Sequence, residues 1–194
     1  MQSEFTDAEL IARSRGGDDQ AFRLIVERYE PVVAATVIGM LGRGDDADDV
    51  GQETFIRFHR ALHDFREEST LKTYLVRIAM NLSLNALKRR KRTALRFVSR
   101  DQVSEPLPEP VVEAAADEER EERTDLVRRA VETLGPKHQP VVVLRMIQNL
   151  STRETADALG IPEGTVLSRL SRAMQELSRA LAPYVRSGAL KEES

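Results

Sequence analysis

The sequence predicts an all-α fold made of two small helical domains joined by an acidic, proline-containing linker. Apolar residues recur at helical spacing on both sides of the middle of the chain. The one β-branched run, 141–147, has no second strand candidate to pair with, so it is predicted to be helical. Between the two helical parts, Pro106, Pro108 and Pro110 stand at alternate positions, which prevents a helix and favours an extended chain.

Composition places the chain among ordinary globular proteins. Its 194 residues, with 41% hydrophobic and 31% charged, suffice for one domain or two small ones. The absence of cysteine excludes disulfides, thiolate zinc sites and cysteine redox sensing within this chain. The first residues lack the pattern of a secretory signal, and the longest apolar stretch, 32–41, is too short to cross a bilayer. We therefore expect a cytoplasmic protein without membrane insertion.

Charge is segregated along the chain. Residues 72–100 contain nine Lys or Arg and no Asp or Glu, whereas residues 101–125 contain two basic and ten acidic residues. The formal net charge is only −3 because these blocks cancel. Such segregation is unusual for a metabolic enzyme and is typical of a protein whose surfaces meet differently charged partners.

The first third of the chain predicts a helical core. Thr6 followed by early acids predicts a helix that ends at Gly16, and Asp18 begins a second helix. Pro31 is interpreted as a break or as the first turn of a further helix. The apolar segment 32–41 that follows is expected to lie centrally in that core.

The next helix begins with an acidic cluster, 45–53. Acidic residues in the first turn favour the helix dipole, and the pattern predicts a capped, exposed acidic helix available to a basic partner. The cluster lacks the alternating ligands of an EF-hand and the convergent carboxylates of a two-metal nuclease, so no metal is predicted. His59 and His63 have a spacing that can bind zinc, but nothing nearby completes a ligand set.

The basic segment predicts a long helix with two different faces. Its apolar residues fall on one face, and a polar stripe runs along another at steps of four, four and three. A buried face opposite a donor-rich face suits a helix that lies along a phosphate backbone with amides placed to read bases. A solvated charged face on an ordinary helix is the alternative. The stripe consists of Arg77, Asn81, Asn85 and Lys88 and continues into Arg89, Arg90, Lys91 and Arg92.

The C-terminal part predicts a helix-turn-helix. After an amphipathic helix at 125–134, Ser151 with Glu154 forms a capping box, and the helix it begins ends at Gly160. A turn at 161–165 leads into a longer helix whose outer face would enter a major groove, where arginine can read guanine. The alternative is an αα-hairpin that binds nothing. Its predicted outer face contains Thr165, Ser168, Arg169, Ser171, Arg172 and Arg179, and its predicted inner face contains Val166, Leu170, Ala173, Met174, Leu177 and Leu181.

These features together resemble the extracytoplasmic-function (ECF, group 4) sigma factors of the sigma-70 family. The resemblance covers nearly the whole chain and depends on 47–55 and 73–81 in region 2, and on 150–170 in region 4. It implies a region 2 domain at 1–98, a flexible acidic linker at 99–123, a region 4 domain at 124–184 and a tail at 185–194.

The resemblance also implies a function: directing core RNA polymerase to promoters and assisting melting of the minus-ten element. Partners would be the β′ clamp helices and the β subunit of core polymerase, promoter DNA as duplex and single strand, and an anti-sigma factor. The polymerase-binding residues would be Asp48, Asp49, Gln52 and Glu53. The minus-ten residues would be Tyr74, Arg77, Asn81, Asn85, Lys88, Arg89, Arg90, Lys91 and Arg92, and the minus-thirty-five residues Thr165, Ser168, Arg169, Ser171 and Arg172.

Three departures from the family pattern bear on promoter preference: Tyr74 stands where Trp is usual, Leu167 where a basic residue is usual, and 134–136 reads Leu-Gly-Pro where Leu-Pro is usual. No catalytic residue, metal or cofactor is predicted, and the chain is not expected to be an enzyme. The alternative function is a helix-turn-helix regulator that binds duplex DNA as a dimer, which would need a dimer interface and a palindromic site.

Overall fold

The structure, a computed structural model, describes residues 5–96 and 116–186, with side chains described for 5–93 and 123–186. The described residues form helices and no strand, which confirms the all-α prediction. The chain divides into two compact units, residues 1–90 and 91–194. The helices are α1 (Asp7–Arg15), α2 (Asp19–Leu41), α3 (Asp45–Ala61), α4 (Leu71–Arg96), α5 (Ala116–Glu132), α6 (Gln139–Val142), α7 (Thr152–Leu159) and α8 (Glu163–Arg186).

In the N-terminal unit, local capping chemistry sets the starts of α1 and α2. The Thr6 side chain accepts a hydrogen bond from the Glu9 N–H, and the Glu9 carboxylate accepts one from the Thr6 N–H at 2.7 Å, a complete capping box. The Glu9 carboxylate accepts a second hydrogen bond from the Thr6 hydroxyl at 2.9 Å, and the bonds from the Thr6 N–H and hydroxyl together lower the pKa of Glu9. Asp18 caps α2 by accepting from the Ala21 N–H at 3.1 Å.

The interpretation of Pro31 as a helix break is wrong, because α2 runs through it without interruption. Pro31 is exposed on α2, and it has no N–H to donate to the Glu27 carbonyl one turn earlier. On the opposite side Tyr29, Val33 and Val37 are buried. The packing of these side chains offsets the cost of the missing hydrogen bond.

An aromatic cluster holds α4 against the rest of the unit. Phe58 is fully buried, and its ring lies 6.1 Å from Phe22, 6.0 Å from Phe65 and 6.0 Å from Tyr74, centroid to centroid. The Tyr74 ring also contacts Phe65 at 4.7 Å. Aromatic pairs at these separations add to the free energy gained from burial. The cluster therefore fixes which face of α4 points outwards.

In the C-terminal unit, the β-branched run is helical, as predicted. It begins as α6 and continues as a π-helical segment, Val143–Ile147, which the sequence did not predict. Val141, Val142 and Val143 are buried, so tertiary packing outweighs the strand preference of these residues.

The predicted linker lies only partly within the described residues. Residues 97–115 lie outside them, and α5 begins at Ala116, so the last eight residues of the predicted linker, 116–123, belong to a helix. The first residues of the predicted tail, Val185 and Arg186, end α8. The four domain boundaries stay predictions.

The helix-turn-helix is present at the predicted position. Ser151 and Glu154 form the capping box of α7, and α7 ends at Gly160. A small core of Val141, Ala156 and Val166 holds the two helices together. Partly buried residues pack against this core: Leu159, Ile161 and Leu170.

Replacing Gly160 by alanine is expected to destabilise the C-terminal unit by about 1 kcal/mol. Gly160 has φ 63° and ψ 39°, the left-handed conformation that ends α7, and a Cβ there meets no atom within 4 Å. The cost is therefore conformational. The matched control is Gly164→Ala, where a Cβ also meets nothing within 4 Å but the residue is helical. We expect this control to stabilise by about 0.5–1 kcal/mol, and thermal unfolding of the full chain measures both.

Candidate nucleic-acid interface

Helix α4 presents the predicted polar stripe to solvent. Arg77, Asn81, Asn85 and Lys88 are all exposed. The opposite face is buried in the N-terminal unit by Leu71, Leu75, Val76, Ala79, Met80, Leu82 and Ala86. One helix thus combines a fixed apolar side with a line of amide and cationic groups free to contact a ligand.

The basic segment, residues 88–92, is not uniform. Lys88, Arg89, Lys91 and Arg92 are exposed, and within the part of the chain that the structure describes none of them forms an ion pair. Arg90 differs because its Nε donates to Asp46 Oδ2 at 2.5 Å and its Nη1 donates to a backbone carbonyl. Four of the five cations therefore remain available for phosphates.

The acidic face of α3 is exposed at Asp48, Asp49 and Gln52. Glu53 is half-buried and forms an ion pair with Arg57 at 2.8 Å. The expectation of a capped helix is wrong, because α3 begins after Gly44, which offers no side chain to bond the first N–H groups. The acidic residues of the first turn favour the helix start electrostatically instead.

The solvent exposure of the outer face of α8 largely agrees with the prediction. Ser168, Ser171 and Arg172 are exposed, whereas Thr165 and Arg169 are half-buried at the start of the helix. The Ser168 hydroxyl donates to the Thr165 carbonyl at 3.1 Å, which leaves its lone pairs free to accept. The face is small, polar and cationic, which suits close approach to a major groove.

Met174 was predicted to face inwards and is instead 42% exposed, so that prediction is wrong. The buried stripe of α8 is filled by Val166, Ala173 and Leu177. Met174 follows Leu167 by seven residues, two helical turns, and Leu167 is itself 55% exposed. Both side chains lie on the edge of the buried stripe.

Two family profiles match this chain in the order that the sequence suggested. The Sigma-70 region 2 profile matches residues 25–93, which include α3 and the polar stripe. The Sigma-70 region 4 profile matches residues 124–177, which include the helix-turn-helix. The ECF RNA polymerase sigma-E factor of Escherichia coli (strain K12) is 34% identical over 197 residues, covering 96% of this chain and 100% of the relative.

This chain belongs to the ECF sigma factor family.

Other relatives and solved structures agree. The RNA polymerase sigma-H factor of Pseudomonas aeruginosa is 32% identical and covers 96% of this chain and 99% of that protein. The structure of CnrH in complex with the cytosolic domain of CnrY matches with a TM-score of 0.62 and 27% identity, covering 89% of this chain and 95% of CnrH. The sigma factor RpoE from Bartonella quintana, solved with the anti-sigma factor NepR, shares the fold at a TM-score of 0.66 and 23% identity, covering 83% of this chain and 96% of that one. The chain is an RNA polymerase sigma factor that acts in transcription initiation.

In this ECF sigma factor, the Tyr74 side chain is less exposed to solvent than the polar stripe on the same helix. Its ring is half-buried and contacts Phe65 and Phe58. Part of the ring surface is therefore covered by the protein core, and a DNA base could contact only the part that stays exposed. The predicted minus-ten role of Tyr74 stays a prediction.

Sequence reasoning missed two features of the sigma factor's candidate interfaces. Ile56 is 45% exposed on α3, one turn after Gln52 and two turns after Asp49, and its helical spacing from these residues was the available signal. The contact of Arg90 with Asp46 was also missed, since the partners are 44 residues apart and no local pattern reveals such a pair.

Among the described residues, no three His, Asp or Glu side chains are grouped closely enough to hold a metal ion. The His59 ring packs edge-on against Phe22 at 4.7 Å. Across residues 5–96 and 116–186, none of the sigma factor's helices has the length and hydropathy required to cross a membrane.

Proposed function

We propose that this sigma factor works through three separate surfaces, of which the exposed stripe of α4 is the decisive one. The stripe and the available cations of the basic segment handle the minus-ten element, the outer face of α8 reads the minus-thirty-five element, and the acidic face of α3 binds core polymerase. The observation that carries the proposal is the exposure of Asn81 between Arg77 and Asn85 on a helix whose opposite face is buried.

The stripe offers the chemistry that strand capture requires. An asparagine amide donates and accepts hydrogen bonds, so it can pair with the edge of an unstacked base. Unstacking costs a few kcal/mol per base, which protein contacts to the extruded base must offset. Lys88, Arg89, Lys91 and Arg92 follow on the same helix and would hold the phosphates. Asn81 is the residue to which we assign the captured base.

Helix α8 would read duplex DNA upstream. Arg169 and Arg172 can each bond guanine through two N–H groups, and Ser168 and Ser171 can contact bases or phosphates. Neither arginine forms an ion pair within the described residues, so both guanidinium groups remain available. The half-buried Thr165 would support the approach of the helix to the backbone.

Helix α3 offers an electrostatic match for a basic partner helix. Asp48, Asp49 and Gln52 form an exposed polar surface, and Ile56 adds an apolar side chain on the same side. Charged groups around an apolar centre are the usual anatomy of a specific protein interface. We assign this surface to the β′ clamp helices of core polymerase, and a further contact to the β subunit.

The proposed domain organisation is region 2 at 1–98, an acidic linker at 99–123 whose last eight residues begin α5, region 4 at 124–184 and a tail at 185–194 whose first two residues end α8. The linker would occupy polymerase channels that otherwise hold nucleic acid, since its composition is acidic. Binding both DNA-reading domains to one polymerase raises their effective concentration at the promoter, so two modest readers suffice. The bond-forming chemistry belongs to polymerase, and the sigma factor is a specificity subunit without a cofactor or catalytic residue.

Regulation by a protein partner is part of the proposal. The structure of CnrH, which matches 89% of this chain, was solved in complex with the cytosolic domain of CnrY. We propose that an anti-sigma factor covers the polymerase-binding and DNA-binding faces of this chain. The sigma factor would act in the cytoplasm, and an anti-sigma factor with a membrane anchor would hold it at the inner membrane face.

Binding to core polymerase tests the assignment of α3. Asp49→Ala is expected to weaken binding about five- to tenfold, the effect of losing one charged contact at an interface. Glu30→Ala, which removes an exposed acid from α2, is the control and should change the dissociation constant less than twofold. Titration of labelled sigma factor with core polymerase measures both. Equal effects of the two substitutions would contradict a specific role for α3.

A further inference from the structure

Arg90 lies in the middle of the basic segment, yet its guanidinium faces the body of the N-terminal unit. Its Nε donates to Asp46 Oδ2 at 2.5 Å, and its Nη1 donates to the Leu41 carbonyl at 3.1 Å. Leu41 is the last residue of α2, and Asp46 lies in the first turn of α3. A single side chain therefore joins α4 to the junction between α2 and α3.

The two acceptors lie at the end of α2 and at the start of α3. The last carbonyls of a helix have no intrahelical donor, and Leu41 carries one of them. Asp46 lies beside the uncapped start of α3. The guanidinium presents several N–H donors in a rigid plane, so it can bond a carboxylate and a carbonyl at once, which a lysine ammonium on a flexible stem does less well.

We propose that Arg90 is a positioning residue that fixes the basic end of α4 against the α2–α3 junction and makes no phosphate contact in the promoter complex. The inference rests on the proposed function, in which the neighbouring cations bind phosphates. A phosphate would have to compete with Asp46 for the Arg90 Nε and with the Leu41 carbonyl for its Nη1, whereas the neighbouring cations form no ion pair within the described residues. Because Asp48 and Asp49 follow Asp46 on α3, the same contact fixes the polymerase-binding helix relative to the basic segment.

The salt dependence of promoter binding separates positioning from phosphate contact. Each phosphate contact that is removed lowers the slope of log K against log salt concentration by about 0.7–0.9. With holoenzyme reconstituted from core polymerase, we expect Arg89→Gln to lower the slope by about that amount. We expect Arg90→Gln to leave the slope unchanged and to reduce promoter affinity about two- to fivefold at every salt concentration, the range of a partly exposed ion pair. Arg90→Lys should recover part of that affinity because it keeps the contact with Asp46.

A second pair of variants tests the contact from its other side. Asp46→Asn should reduce promoter affinity as Arg90→Gln does. Asp45→Asn is the matched control, because it removes a neighbouring acid that forms no ion pair with Arg90, and it should leave promoter affinity unchanged. Thermal unfolding of each free variant shows that it is folded. Promoter binding is then compared at core polymerase concentrations that saturate every variant.

The opposite results are distinct. If Arg90 is a phosphate ligand restrained by Asp46, then Arg90→Gln lowers the slope as Arg89→Gln does, and Asp46→Asn strengthens promoter binding and steepens the slope. Either result would overturn the inference while leaving the proposed function intact. If the slope is unchanged for Arg89→Gln, Lys91→Gln and Arg90→Gln alike, the phosphate role of the basic segment is wrong, and the inference falls with it.

Discussion

Asn81→Ala is expected to slow promoter opening about ten- to a hundredfold, because the captured base loses hydrogen bonds that offset the cost of unstacking. Binding of the closed duplex should change by less than about threefold, since the base edge is still paired in that complex. Asn81 is exposed and its neighbours Leu82 and Met80 are buried, so the substitution removes an amide without disturbing the core.

Permanganate reactivity of the minus-ten region measures opening, and filter binding at low temperature measures the closed complex. Gln20→Ala removes an exposed amide from α2 and serves as the matched control, with no expected effect on either step. Equal losses in opening and in closed-complex binding would contradict the assignment of Asn81 to the melted strand.

Arg169→Ala and Arg172→Ala are each expected to weaken recognition of the minus-thirty-five element by about 1–3 kcal/mol, the cost of losing a bidentate contact to guanine. The loss should appear with the preferred upstream sequence and shrink when that sequence is scrambled. Competition binding of holoenzyme to the two promoters measures the difference.

Arg179→Ala supplies the control for this pair. Arg179 is exposed on the same helix two or more turns later, where its Nε donates to the Gln175 carbonyl at 3.3 Å. We expect it to change affinity for both promoters by less than about twofold. A loss for Arg169→Ala and Arg172→Ala that is independent of sequence would mean that these residues contact phosphates alone.

Features determined by neighbouring residues were predictable from the sequence. The Thr6 cap of α1, the capping box at Ser151 and the end of α7 at Gly160 depend on side chains within three residues or on a single backbone angle. The exposure of Asn81 followed from helical spacing alone, because the apolar residues of α4 determine which face is buried.

Features determined by tertiary contacts were not predictable. Pro31 favours a helix end locally, but burial of Tyr29 and Val33 keeps α2 continuous. In the sequence, Arg90 is one of five consecutive cations with nothing to distinguish it, and only the structure shows its contact with Asp46. The half-burial of Tyr74 depends on Phe65 and Phe58, which approach from outside its own helix. In each case long-range packing outweighed local pattern.

Transcription in vitro with purified core polymerase tests the central claim most directly. DNA that binds the holoenzyme is first selected from a random pool, and it supplies the candidate minus-thirty-five and minus-ten elements of a promoter template. This template is transcribed with and without this chain. We expect a transcript of defined start site only when the chain is present, and its loss when either element is scrambled. Transcription that is the same with and without the chain, despite a measured complex with core polymerase, would contradict the account.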